Sequence, residues 1–165
     1  MKYLVFSDNH GDTESIDRLI SYYPNNDGVF SLGDSCLQEF ELDNRRILGV
    51  RGNYYYEPNL PYSFLRKIGN FNVYFTHGHL EKVKFSMHQL FYRCLERGAN
   101  ICFYGHTHVA KIEEINDIIF VNPGSTYLPI YPKEPTFAYV EINDNNLKIE
   151  IHSVIDNRVI YSYKK

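Results

Sequence analysis

The sequence has no tryptophan and only two methionines. Its three cysteines, Cys36, Cys94 and Cys102, are scattered, odd in number, and form no Cys-x-x-Cys pair. That usage points to a reduced, cytoplasmic setting rather than a disulfide framework. Long hydrophobic runs are missing as well. The longest span four residues, such as those at 3–6 and 118–121, against about 20 for a membrane-spanning helix. The first run stops at Ser7-Asp8-Asn9-His10, too early for a secretory core of roughly 7–15 apolar residues. Neither sign of charge dominates: 17 basic and 20 acidic residues give −3. With no basic face, duplex nucleic acid bound along an electrostatic stripe is not expected. A small or single-stranded phosphate ester stays open as a substrate.

What is present suits one soluble domain over residues 1–165. A chain of this length buries about 70% of the surface that its unfolded form exposes. The 15 tyrosines occur in every part of the chain, so their abundance reads as composition rather than function. Residues 3–6 read as a strand buried on both faces. Asp12 or Thr13 caps a following helix, with Ile16, Leu19, Ile20 and Tyr23 on one face and Pro24 at its end. Residues 28–32 and 47–50 read as further strands, and residues 63–68 and 72–76 as a hairpin. Residues 84–97 give the longest helical pattern, with Phe85, Met87, His88, Phe91 and Leu95 along it and Gly98 as its stop. Residues 101–104 read as a short buried strand, and the chain beyond Thr107 is mostly strand. Helices early and antiparallel strands late imply two packed sheets with helices outside.

The chemistry gathers at strand ends. Five of the seven histidines fall in three clusters: Asp8-Asn9-His10, Thr76-His77-Gly78-His79 and Gly105-His106-Thr107-His108. Gly33-Asp34 and Gly52-Asn53 come after two more strands. Carboxylates, imidazoles and an amide oxygen together suit first-row divalent metals such as Mn, Fe, Zn or Ni. On extended backbone, residues two apart share a face, so Asp8 with His10, and His106 with His108, can each converge on a common ion. His88 and His152 read as packing or surface residues. Asn9 reads as a turn residue or as a group that orients a phosphate oxygen. The run Tyr54-Tyr55-Tyr56 reads as a base-stacking surface, a lid or a contact between copies.

The ordered set Asp-x-His, Gly-Asp, Gly-Asn, His, Gly-His-x-His resembles the calcineurin-like metallophosphoesterases. The length, the segment Asn122-Pro123-Gly124-Ser125 and the strand-rich end resemble their small bacterial and archaeal phosphodiesterase branch. The resemblance implies an α/β fold, a four-layer α/β/β/α sandwich of two mixed sheets flanked by helices. It implies a binuclear centre in which Asp8, His10 and His108 hold one divalent ion, Asn53, His77 and His106 hold a second, and Asp34 bridges both. Mn is the first expectation, with Zn, Fe or Ni able to use the same donors. Four positive charges, two carboxylates and a bridging hydroxide leave such a centre about one charge positive, suited to an anionic phosphate. The implied reaction is in-line attack of that hydroxide on phosphorus, with Asp34, Asn53 and His79 as the catalytic side chains. His79 enters because Tyr54 and Tyr55 come after Asn53, where relatives carry Cys or His and then an acidic residue. The leading reading is a phosphodiesterase. The alternatives are a phosphomonoesterase or nucleotide pyrophosphate hydrolase, and a catalytically weak protein-binding scaffold. Self-association stays open, and all seven ligand positions hold a competent donor, which speaks against the scaffold.

Overall fold

A computed structural model describes residues 1–54 and 59–165. In chain order the elements are β1 (Lys2–Phe6), α1 (Thr13–Tyr22), β2 (Gly28–Ser31), α2 (Glu39–Asn44), β3 (Ile47–Gly49), β4 (Ser63–Ile68) and β5 (Phe71–Thr76). They continue as α3 (His88–Arg97), β6 (Ile101–Phe103), β7 (Lys111–Ile115), β8 (Ile118–Asn122), β9 (Thr136–Asn143), β10 (Asn146–Ser153) and β11 (Val159–Lys164). The first sheet runs β11-β10-β9-β1-β2-β3 and the second β4-β5-β6-β8-β7. Both are mixed. β1, β2 and β3 pair in parallel, and β9 joins β1 antiparallel. In the second sheet β5, β6 and β8 are parallel, flanked by antiparallel β4 and β7.

The short apolar runs reflect where these strands sit. Successive side chains leave a strand on opposite faces. In β1, Tyr3 and Val5 enter the core between the sheets, while Leu4 and Phe6 enter a second core on the outer face. That outer core holds Ile16 and Leu19 of α1 and Leu42 of α2. Across the molecule, Val73, Phe75, Ile101, Phe103, Ile119 and Val121 fill the central core. Tyr74, Cys102 and Phe120 face the other way, onto Leu90 and Cys94 of α3. The order of layers is therefore α1 and α2, first sheet, second sheet, α3. No helix among the described residues is long and apolar enough to cross a membrane.

Helix ends are set by local chemistry. The Asp12 carboxylate accepts from Ser15 N (3.1 Å) and Ser15 Oγ (2.6 Å), which satisfies the start of α1. Gly98 ends α3 at φ 63°, and Ala99 N donates to Cys94 O (2.9 Å). The expected helix over residues 84–97 is corrected in two respects. It begins only at His88, because Lys82 takes a left-handed φ of 53° and residues 82–86 close into turns through Phe85 N and Ser86 N to Lys82 O. Its buried face is Leu90 and Cys94, whereas Phe85 is 90% exposed and Leu95 is exposed. An apolar pattern chose the side chains, but contact with the sheet chose the face. Helix α2 carried no periodic signal, since six residues are less than two turns.

Phe75 stacks on Phe30 (4.5 Å between ring centres), Phe64 (4.7 Å) and Phe103 (5.5 Å), joining both sheets. Phe75→Ala is expected to cost about 3–5 kcal/mol of stability, read as a lower urea midpoint at unchanged slope.

Candidate metal centre

Five parallel strands deliver the polar clusters to one edge of the sandwich. Asp8 and His10 follow β1, Asp34 follows β2, Asn53 follows β3, His77 and His79 follow β5, and His106 and His108 follow β6. Backbone bonds draw these loops together. Asp8 N donates to Gly33 O (3.1 Å), His10 N to Asp34 O (3.1 Å), and Gly105 N to His77 O (3.1 Å). The His77 ring crosses between the sheets, its Nδ1 bonded to Leu32 O at 2.7 Å. Glycine at position 52 is required by the approach of another loop, because an added Cβ would collide with the Asp34 carboxylate and its backbone N.

The expectation of extended backbone is corrected. Asp8, His10, Asp34, His106 and His108 all take left-handed φ values, between 45° and 66°. The strict face alternation of a strand does not operate there. Asp8 and His10 do converge, but His106 and His108 separate into different groups. One group is Asp8, His10 and His108; the other is Asp34, His77 and His106. Within each, one donor atom per residue lies within 4.8 Å of the others. Asn53 joins the second group, its Oδ1 3.1 Å from His77 Nε2. The groups adjoin: His77 Nε2 is 3.4 Å from Asp34 Oδ2 and 3.9 Å from Asp8 Oδ1.

Surrounding bonds aim the donor atoms. Asp8 Oδ2 accepts from Ser7 Oγ (2.5 Å) and His106 N (3.0 Å), and Ser125 Oγ donates to Asp8 O (2.8 Å). Oδ1 is left facing the centre. His108 Nδ1 donates to Leu128 O (2.7 Å), as His77 Nδ1 does to Leu32 O, so both present Nε2 inward. Tyr54 N donates to Asp34 Oδ1 (2.9 Å). Ser7 and Tyr54 N are contributors that the motif reading missed, and Ser125, named only within the segment Asn122-Pro123-Gly124-Ser125, had no role assigned; a serine hydroxyl or a backbone amide has no sequence signal of its own.

Burial shapes the electrostatics. Desolvation raises the Asp8 carboxyl, but neighbouring His108 and His77 outweigh it and hold it below its ordinary value. Asp34, with burial likewise opposing, is lowered to about 2 by His77 and Tyr54 N. Burial lowers His77, yet the Asp34 and Asp8 carboxylates raise it overall. His108 is raised by Asp8. His106 is pushed down to about 4 by desolvation, with the charges of His77 and Lys84 adding to it. His79 is lowered by burial and then by His77.

These residues fit divalent cations on a structural criterion. Asp8 Oδ1 and His10 Nε2 are buried and have no hydrogen-bond partner, although His108 Nε2 stands 3.1 Å from that oxygen. With Nδ1 of His77 committed to a carbonyl, its Nε2 lone pair faces oxygens of Asn53, Asp34 and Asp8. A proton or a metal ion must compensate such a cluster. His79 stands beside it, its ring centre 5.3 Å from that of His77 and 6.2 Å from that of His106, with Nδ1 buried and unpartnered. Asn9 is buried and donates to Ser35 O (3.0 Å). His152 is buried among Tyr23, Phe137 and Tyr139, far along the sheet in β10, and His88 is exposed. Tyr54 is exposed and edge-on to His10 at 5.9 Å; Tyr55 and Tyr56 lie outside the described residues.

The family model of the calcineurin-like phosphoesterase superfamily domain matches residues 1–145. The chain belongs to that superfamily. It is 26% identical over 160 residues to the probable metallophosphoesterase YsnB of Bacillus subtilis, covering 96% of this chain and 95% of that one. It is 27% identical over 145 residues to the phosphodiesterase MJ0936 of Methanocaldococcus jannaschii, covering 75% and 83%. A crystal structure of a conserved Streptococcus pneumoniae protein, described as a phosphoesterase by prediction, matches with TM-score 0.89 and 32% identity over 99% of this chain and 96% of that one. Vps29 of Entamoeba histolytica in complex with Zn²⁺ matches with TM-score 0.80 and 26% identity over 100% and 98%. The two mixed sheets flanked by helices are the fold of these phosphoesterases.

Gly52→Ala is expected to displace Asp34 while leaving the sheets intact. Elemental analysis after metal loading should show retention reduced by at least about tenfold, with an unchanged far-ultraviolet dichroism spectrum.

Proposed function

We propose that this protein is a metal-dependent phosphodiesterase acting on a small or single-stranded phosphate ester in the cytoplasm. In this reading Asp8, His10 and His108 hold one divalent cation, Asn53, His77 and His106 hold a second, and Asp34 contributes to both. Mn is the first choice, with Zn, Fe or Ni compatible with the same nitrogen and oxygen donors. The observation that carries the reading is the pair of adjoining donor groups, with Asp8 Oδ1 buried and facing His108 Nε2 and with His10 Nε2 buried and unpartnered. When bound, the cations supply positive charge for the phosphoryl oxygens and activation of a water for in-line attack.

The chain's own residues prepare that chemistry. The left-handed loops hold the donors before any cation arrives, so little reorganisation is needed on loading. Low carboxyl pKa values keep Asp8 and Asp34 ionised at neutral pH. The Leu32 and Leu128 carbonyls keep Nδ1 protonated on His77 and His108, leaving Nε2 as the donor. Asn53 adds a neutral oxygen donor, which keeps the centre net positive toward an anion. His79, beside His77 and His106, is the side chain assigned to pass a proton to the leaving oxygen, a role that its burial and the His77 charge oppose by disfavouring its protonated form. The similarity to a protein named as a phosphodiesterase supports the diester preference.

The test is a hydrolysis panel on metal-reconstituted protein: a chromogenic diester, a chromogenic monoester, and cyclic and linear nucleotides. Diester turnover abolished by chelator and restored by Mn is expected. Monoester turnover alone would favour a phosphomonoesterase, and no turnover with any metal would favour a non-catalytic scaffold. Asp34→Asn is expected to lower both metal content and turnover, the latter by more than about 100-fold. His79→Asn is expected to slow esters of alkyl alcohols about 10²-fold or more while slowing p-nitrophenyl esters far less. Equal losses on both ester types would remove His79 from the acid role.

A further inference from the structure

Arg51 stands two residues before Asn53, on the same loop, and the metal chemistry above does not use it. Its backbone N donates to Pro61 O (2.7 Å), and its guanidinium carbon lies 5.1 Å from the centre of the Tyr62 ring. The Tyr62 ring is in turn 6.0 Å from that of His79, which adjoins His77 and His106. Among the described residues no carboxylate lies within ion-pair distance of Arg51. A fixed cation beside a centre built for two dications is repelled by them, and among the described residues no acidic side chain pairs with it. An anionic ligand would offset it. An arginine stacked on an aromatic ring offers a planar, oriented fork of donors, which suits a phosphate better than a lysine would.

We infer that Arg51, held on Tyr62, binds a second phosphate of the substrate and so selects phosphodiesters that carry an additional phosphate beside the scissile one. The inference rests on the phosphodiesterase reading and deepens it. No bond is made or broken at Arg51; it is a specificity residue.

Two substrates separate the possibilities: thymidine 5′-(p-nitrophenyl phosphate) and its 3′-phosphorylated form. The Mn-loaded wild-type protein should prefer the 3′-phosphorylated ester by at least about tenfold in kcat/KM, the scale of a charge-assisted contact. Arg51→Met should bring that ratio close to one, chiefly through KM. Arg51→Lys and Tyr62→Leu should each lose part of it. A ratio in Arg51→Met equal to that of the wild type would overturn the inference, since a merely structural role would not change the preference between two esters differing by one phosphate. Calorimetry of thymidine 3′,5′-bisphosphate against thymidine 5′-monophosphate gives the same comparison without turnover. If neither ester is hydrolysed with any metal, the phosphodiesterase reading fails, and the ratio of binding constants still decides the role of Arg51. If Arg51→Met does not fold by circular dichroism, Arg51→Lys and Tyr62→Leu carry the comparison, and unchanged ratios in both would overturn it.

Discussion

Two carboxylates are held where water barely reaches. Asp8 is 0% and Asp34 4% exposed, and a buried carboxylate is costly unless opposite charge and hydrogen bonds compensate it. Much of the surrounding structure answers that demand. Ser7 and the His106 amide satisfy one oxygen of Asp8, and the Tyr54 amide satisfies one of Asp34. His77, in reach of both carboxylates, is drawn toward its protonated form. Asp8 Oδ1 is directed inward with His108 Nε2 3.1 Å away, beside unpartnered His10 Nε2. A divalent cation there would complete the compensation.

The sandwich makes this arrangement possible. Parallel strands from both sheets end on one edge, so loops remote in sequence meet there without long excursions. The His77–Leu32 bond then ties the loop of one sheet to the other. Left-handed backbone at five of the donor residues costs about 1–2 kcal/mol each, although Asp and Asn, and to a degree His, tolerate it better than other types. The loop-to-loop hydrogen bonds offset this, and the result is a set of donors held in position by a rigid core.

Legibility in the sequence divides along physical lines. Strand positions were readable because a strand buried on both faces needs an unbroken apolar run, as at 3–6 and 118–121. The α1 start was readable because Asp12 caps it by a bond within three residues. The first turns of the long helical segment were not. Lys82 carries no mark of its left-handed turn, and the face of α3 was set by what Leu90 and Cys94 pack against. The same limit applied to the pairing of donors. Spacing by two kept Asp8 with His10 but also grouped His106 with His108, which the backbone turns apart.

By itself, the order of residues determined which chemical groups are present and that each comes after a strand: two carboxylates, an amide and five histidines in short clusters. Those are local properties, written in neighbouring residues. Only the tertiary structure decided which donors face one another, which oxygen of Asp8 faces the histidines, and that Arg51 rests on Tyr62 near His79. Those outcomes depend on loops from two sheets approaching within hydrogen-bond distance, and contacts between residues as far apart as Asp8 and Ser125 leave no local trace.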